Sequence, residues 1–312
     1  MEIRNVTVAG GGVLGSQIAL QSAYKGFPVT LWLRSEGSIE RTRPKLERLR
    51  DIYKQTLAAL KTDSRAFCPG LTDSPDVPEA ELDELIARVD AAFDSLVLTT
   101  SDEEAFGGAD LVIEAIAEVI DEKDAFYTAI KDLLPEHTIL CTNSSTLLPS
   151  AMAGFTGRPD RFLALHFANN IWKQNTAEIM GTAETSADSY QAVVDFAKAI
   201  AMVPLELKKE QPGYLLNSML VPFLNAAEAL LANDVADFET IDKAWTLGTG
   251  APLGPFRILD IVGLTTAYNI VAASPAAQEP GSTAARIAEM LKRRIDEGKT
   301  GINAGEGFYT YR

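Results

Sequence analysis

Histidine and cysteine are the scarce residues of this chain, two of each in 312. Cys68 and Cys141 stand far apart and fit no metal-ligand spacing, so no metal site is expected. Cys141 falls in an apolar strand pattern and reads as a small buried side chain. Basic residues are also in short supply. With 28 Lys and Arg against 43 Asp and Glu, the net charge is −15. The bulk field therefore repels nucleic acid and anionic membranes, and an anionic substrate needs a local basic patch. No apolar run approaches the ~18 residues of a membrane span, and the first strand pattern begins at once, with no apolar leader before it. The chain is expected to be a soluble cytoplasmic protein. Its hydrophobic share of 46% over this length suits about two domains.

What is present is concentrated at the start. Asn5 to Gly15 is a short apolar strand running into a G-x-G-x-x-G turn at Gly10, Gly12 and Gly15, with Val13 and Leu14 inside it. A helix, Ser16 to Tyr24, and a second strand, Val29 to Leu33, follow. In this arrangement the first glycine allows the turn, the second lets backbone approach a pyrophosphate, and the third lets helix pack on strand. The helix N-terminus presents N–H groups and a positive dipole end to phosphate. With both flanking strands present, a dinucleotide site outweighs an incidental glycine-rich turn.

Further strand patterns lie at 95–99, 110–114, 138–142, 162–166, 176–180 and 203–207, with helical segments such as 121–134 and 186–201 between most of them. This alternation predicts an α/β fold with a mainly parallel, doubly wound Rossmann-type sheet. Ile39–Lys61 reads as one long charged amphipathic helix, and a Pro-, Asp- and Ser-rich turn at 69–79 leads to another near Ala80–Ala91, so the two are expected to form a projecting helical hairpin. Beyond Leu207 the pattern turns almost wholly helical, at 214–233, 237–248, near 254–272 and 283–297. A boundary is placed there, giving a dinucleotide-binding domain at 1–207 and an all-α domain at 208–312.

Ligands of such sheets bind beyond the carboxyl ends of the strands. His166 ends the strand at 162–166. If that strand and the one at 176–180 form a hairpin turning around Trp172, His166 and Glu178 lie opposite each other, with Cβ atoms ~5 Å apart. A carboxylate beside an imidazole holds one tautomer and suits proton transfer coupled to hydride transfer. His137, in a loop, is expected to have no role. The run Cys141–Thr146 can supply polar partners to a substrate oxygen, although Ser145 equally suits the N-cap of a helix at Leu147. Asn217 sits on the first helix of the second domain, where a cleft position and a plain helix surface both remain open.

Together these stretches resemble the 3-hydroxyacyl-CoA dehydrogenase family over essentially the whole chain: 6–15, 112–123, 143–146, 165–169, 212–217, 254–263 and 305–311. The resemblance implies an oxidoreductase that moves a hydride between a nicotinamide cofactor and C3 of a 3-hydroxy or 3-oxo acyl substrate. It implies His166 as acid/base, Glu178 as its orienting carboxylate, substrate contacts from Ser145 and Asn217, cofactor contacts from Glu118, Lys123 and Asn143, and a homodimer through the helical domain. The runs at 142–150, 165–169 and 206–210 are most similar to diketoreductase-type members, which implies a CoA-free β-keto or β,δ-diketo acid or ester as the alternative substrate. A non-catalytic dinucleotide-binding structural protein is a rival of another class.

Three departures from the family pattern bear on specificity. The second strand ends in Leu33 and Arg34, where NAD enzymes carry an acidic residue for the ribose 2′-hydroxyl. Arg34 with Ser35 suits a 2′-phosphate and favours NADP, while Glu36 serving the ribose leaves NAD. The projecting helix has no serine between Ile39 and Thr62 for the nucleotide end of CoA. Its Arg48, Arg50, Lys54 and Lys61 can meet phosphates or pair with Glu40, Glu47 and Asp51 one turn away. Finally, Asn170 replaces the family's proline, which is expected to free the loop Asn170–Asn175.

Overall fold

The computed structural model describes residues 2–311. They fall into two compact units, one up to Leu215 and one from Leu216 onward. The division comes later than the expected boundary after Leu207. The reason is local packing: Tyr214 is buried with Ala164, Met180 and Leu207, which holds the segment after the last strand on the first unit.

In the first unit the strands are β1 (Val6–Ala9), β2 (Val29–Trp32), β3 (Val97–Thr99), β4 (Leu111–Glu114), β5 (Ile139–Thr142), β6 (Phe162–Phe167), β7 (Thr176–Gly181) and β8 (Val203–Leu207). The helices are α1 (Val13–Tyr24), α2 (Glu36–Leu60), α3 (Glu79–Ser95), α4 (Asp102–Phe106), α5 (Ile120–Ile130) and α6 (Ala187–Ala199). The strands form one sheet in the order β3-β2-β1-β4-β5-β6-β7-β8. Every neighbouring pair is parallel except β6 with β7. The order runs outward in both directions from β1, the doubly wound pattern, and its crevice lies at the carboxyl ends of β1 and β4.

Period-two alternation sends neighbouring residues to opposite cores. Leu111 and Ile113 join the core shared with α1, α2, α3 and α6, while Val112 joins Phe126, Tyr127 and Phe162 on the other face. The hairpin of α2 and α3 packs by Leu46, Leu49, Tyr53, Leu82, Leu85 and Val89 into the first of these cores. Tyr53 also donates from its hydroxyl to Gln21 Oε1 on α1 at 2.8 Å.

The second unit is helical: α7 (Leu216–Ala232), α8 (Phe238–Thr249), α9 (Pro255–Val262), α10 (Leu264–Ala272) and α11 (Thr283–Asp296). The helical segment expected near 254–272 is in fact two helices. Gly263 adopts φ +93°, outside the helical region, and the chain turns there. Two buried carboxylates organise this unit. Asp242 accepts the N–H of Phe256 at 2.8 Å, at the start of α9, and the Tyr309 hydroxyl at 3.0 Å. Asp260 accepts the N–H groups of Phe308 and Tyr309 at 2.7 and 2.9 Å and the Tyr311 hydroxyl at 2.8 Å. The motifs at 254–263 and 305–311 are therefore halves of one fastening that seats the last described residues on α8 and α9.

Glu228 on α7 is a buried acid of a different kind. It is 1% exposed, and its Oε1 has no hydrogen-bond partner among the described residues. Burial pushes the carboxyl up from 4.5 to about 7. Because the folded value lies above the unfolded one, the ionised form opposes folding. Stability is lost as pH rises from about 4.5 to about 7 and then levels off. Glu228→Gln is expected to leave thermal stability near wild type at pH 4.5 and to exceed wild type by about 3 kcal/mol above pH 7. Equal melting curves for the two proteins at pH 8 would contradict this account.

Candidate active site

The glycine turn between β1 and α1 is dictated by close approach. Gly10 has φ +116°, and a Cβ there would stand 2.5 Å from the Ala115 carbonyl oxygen; a Cβ at Gly15 would stand 1.9 Å from the Gly10 oxygen. Gly12 differs, because a Cβ on it would meet no protein atom within 4 Å. Packing does not explain Gly12, whereas approach by a ligand does. Gly12 is also the N-cap of α1 and offers no side-chain cap to the first turn. Beside it lies a cavity of about 160 Å³ whose walls include Val13, Leu14, Glu118, Lys123, Asn143 and Ser145. Unclaimed first-turn N–H groups, a glycine facing open space and a polar cavity together fit the pyrophosphate end of a dinucleotide.

The wall of that cavity is held by Glu114, fully buried at the end of β4. Its Oε1 accepts from Lys123 Nζ at 2.5 Å and from the Ile116 N–H at 2.8 Å. Its Oε2 accepts from Thr142 Oγ1 at 2.8 Å and Tyr127 OH at 3.1 Å. Lys123, 1% exposed, also lies 3.7 Å from Glu118. Burial raises the Glu118 carboxyl, but hydrogen bonds from Ser144 and Thr146 and the charge of Lys123 outweigh it, leaving the group below its ordinary value. Glu118 accepts from Ser144 Oγ at 2.5 Å and from the Thr146 N–H at 2.8 Å, so it holds the loop after β5 in place. Asn143 accepts the Phe167 N–H at 3.1 Å. Glu114 and Tyr127 are not site candidates from the sequence, and Thr142, expected with its run to face a substrate oxygen, instead donates to Glu114. The fully apolar run before Glu114 was the available signal, since a carboxylate ending a buried strand needs partners.

His166 and Glu178 are register partners across the β6–β7 hairpin, and His166 Nδ1 is 2.9 Å from Glu178 Oε2. Both are nearly buried, at 6% and 3%. The other ring nitrogen, Nε2, is 3.3 Å from Ser145 Oγ. Ser145 does not cap a helix. No helix starts at Leu147; Ser144 Oγ accepts the Leu147 N–H at 2.9 Å within an irregular loop, and the Ser145 hydroxyl stands beside the imidazole. Tyr214, not anticipated, stacks on the His166 ring with centroids 4.4 Å apart and planes within 15°. Asn217 lies in the first turn of α7, in the second unit. His137 pairs with Asp110 Oδ1 at 2.8 Å on the surface, at the opposite ends of β4 and β5.

The loop after β6 is not freed by the loss of proline. Asn170 takes a left-handed φ of +61°, which a proline ring cannot adopt. Its N–H donates to Gln17 Oε1 at 2.8 Å. Ile171 and Trp172 are buried in the main core, and the Trp172 ring packs on Tyr53 of α2 at 5.3 Å. Of the basic residues of the hairpin, Arg50 meets the expected Asp51, whereas Lys54 and Lys61 find other partners. Lys54 pairs with Asp90 at 2.6 Å and Lys61 with Asp83 at 2.5 Å, both across to α3, and Arg50 pairs with Asp51 at 3.0 Å and Asp90 at 3.9 Å. At the end of β2, Arg34 is exposed and 3.6 Å from Glu122. Ser35 Oγ lies 3.0 Å from Ser38 Oγ, which also receives Arg41 Nη2 at 2.9 Å. Glu36 accepts from Thr100 Oγ1 at 3.1 Å.

Comparison with known proteins gives a consistent result. Residues 5–211 match the family described as 3-hydroxyacyl-CoA dehydrogenase, NAD binding domain, and residues 213–311 match its C-terminal domain. A human mitochondrial hydroxyacyl-coenzyme A dehydrogenase is 34% identical, over 99% of this chain and 92% of that one. A probable 3-hydroxybutyryl-CoA dehydrogenase of Bacillus subtilis is 29% identical, over 100% and 98%. A solved diketoreductase, described as catalysing reactions of dicarbonyl compounds, is 47% identical over the full length of both chains, with a TM-score of 0.86.

Proposed function

Because this chain belongs to the 3-hydroxyacyl-CoA dehydrogenase family, and is thus a nicotinamide-dependent oxidoreductase acting on CH–OH, we propose that it interconverts a 3-hydroxy and a 3-oxo acyl group with His166 as acid/base. The observation that carries this reading is the line Glu178–His166–Ser145, with contacts of 2.9 and 3.3 Å at the carboxyl end of β6. A bound nicotinamide supplies or takes the hydride. Glu178 accepts the Nδ1 proton and so leaves Nε2 as the nitrogen that exchanges a proton with the substrate oxygen. In reduction the imidazolium donates from Nε2; in oxidation the neutral ring accepts there. The Ser145 hydroxyl, beside Nε2, is placed to hydrogen-bond the same oxygen, and Asn217 is assigned to the substrate by family likeness. Gly10, Gly12, Val13, Leu14 and Gly15 cradle the pyrophosphate, with Glu118, Lys123 and Asn143 along the neighbouring wall. His166→Ala is expected to lower turnover by about 10³-fold with cofactor affinity within a factor of two. Retention of most of the rate would sink the assignment.

Two finer points follow from particular contacts. The basic side chains Arg50, Lys54 and Lys61 are engaged by carboxylates, which leaves less positive charge for the phosphates of CoA and supports a CoA-free β-keto or β,δ-dicarbonyl acid or ester as substrate. The 47% identity to a diketoreductase points the same way. Glu36 is engaged by Thr100, while Arg34 stays largely exposed at the end of β2 despite its 3.6 Å approach to Glu122, and Ser35 lies beside it; this supports NADPH over NADH.

Initial rates with a CoA-free β-keto ester and with acetoacetyl-CoA, each with NADPH and with NADH, test both points. The expected result is faster turnover of the ester and preference for NADPH. A much faster thioester reaction returns the chain to acyl-CoA chemistry. Arg34→Asp should lower the NADPH-to-NADH ratio of kcat/KM by at least about tenfold, the scale of one lost charge-assisted contact, and an unchanged ratio removes Arg34 from the 2′-phosphate.

A further inference from the structure

Both ring torsions and carboxylate torsions are soft. The last torsion of a histidine or glutamate side chain has broad wells rather than sharp rotamers, so a two-membered His–Glu pair does not by itself fix the plane of the imidazole. Two consecutive residues after β8 supply the missing restraints. The Tyr214 ring lies on the face of His166, 4.4 Å between centroids and 15° between planes. The Leu215 N–H donates to Glu178 Oε1 at 2.9 Å, while the other carboxylate oxygen, Oε2, is the one that meets His166. Tyr214 is itself anchored. It is 1% exposed, its hydroxyl donates to the Ser144 carbonyl oxygen at 2.7 Å, and it packs with Ala164, Met180 and Leu207. The Gln211 N–H donates to Met180 Sδ at 3.1 Å and begins the same docking.

The backbone adds an independent sign. Tyr214 has φ +53°, a left-handed conformation that a bulky side chain adopts only where its surroundings hold it. Since Gly213 beside it is also left-handed at φ +78°, the chain could have turned on glycine alone. The strained residue is the one whose ring covers the imidazole, and its hydroxyl is bonded to the residue next to Ser145.

We propose that Tyr214 is a positioning residue: it sets the plane of His166 against Ser145 through the ring stack and the bond to the Ser144 carbonyl, while the Leu215 N–H sets the plane of Glu178. The bracket joins three chain segments, the loop after β5, the β6–β7 hairpin and the segment after β8, at the point where their alignment decides whether Nε2 faces the substrate oxygen. The proposal rests on His166 being the acid/base, and the test separates the two.

The full-length enzyme is labelled at histidine carbons and compared as wild type, Tyr214→Phe and Tyr214→Leu. Only two histidines give signals, His137 and His166, and His137→Gln assigns them. A stacked aromatic ring shields the protons of its neighbour. The expected result is that Tyr214→Phe keeps the shielded His166 signals and loses less than about tenfold in kcat, whereas Tyr214→Leu loses the shielding and about a hundredfold in kcat, with KM within a factor of two in both. Far-UV circular dichroism confirms folding, and Tyr214→Phe keeps the question answerable if the leucine variant does not fold. Lost shielding with unchanged kcat, or equal losses in the two variants, overturns the positioning role, as does a rise in KM without a fall in kcat. Turnover that survives His166→Ala overturns the acid/base reading instead, and the shielding then still reports whether the stack exists.

Discussion

A carboxylate with no access to water stands where the sheet, the cavity beside the glycine turn and the loop after β5 meet. Glu114 would be costly to bury alone, and its cost is offset by four donors from three segments: a lysine and a tyrosine on α5, a threonine on β5 and the backbone two residues on. Each donor fixes a neighbouring element. Through Lys123 it sets the start of α5, and through Thr142 the end of β5, where the chain turns into Asn143, Ser144 and Ser145. The polar end of the first unit is therefore one connected network, in which the groups that fasten the fold are neighbours of those that line the cavity.

The second constraint is the single reversal of direction in the sheet. Parallel strands place the carboxyl ends of β1, β4, β5 and β6 along one edge. The hairpin into β7 then brings a carboxylate on a neighbouring strand into direct register with His166, the last residue but one of β6. A wholly parallel sheet would need a long crossover before β7. The short hairpin makes the pair local in sequence as well as in space.

That locality is why the pair was readable in advance. His166 and Glu178 stand twelve residues apart on two strands joined by one short connection, so a hairpin brings them opposite each other. The glycine turn was readable for a similar reason, since its spacing encodes backbone geometry. Contacts between elements distant in sequence were not. The partners of Lys54 and Lys61 lie on α3, across a turn whose path the sequence does not specify, so helical spacing pointed to the wrong carboxylates. The loop at Asn170 was misjudged because a proline-to-asparagine change was read as a loss of rigidity, whereas it exchanges a fixed negative φ for a left-handed one that Gln17 then secures. Tyr214 was invisible because its aromatic ring, three residues before Asn217, looks in sequence like the start of a helix. Gly263 was a legible break that an apolar run masked.

The α2–α3 hairpin also shows how a surface can keep its cations and lose part of their field. Its cations remain, yet each of Arg50, Lys54 and Lys61 faces an anion on the same hairpin. Seen from solvent, paired charges make dipoles rather than a net field, and dipolar fields fade with distance much faster than that of a lone charge. A polyanion approaching Arg50, Lys54 or Lys61 would meet such dipoles, whereas Arg43 and Arg48 stay exposed nearer the start of the same helix. Where this cancellation occurs, the bases of α2 are kept and acids on α3 and on α2 itself stand against them.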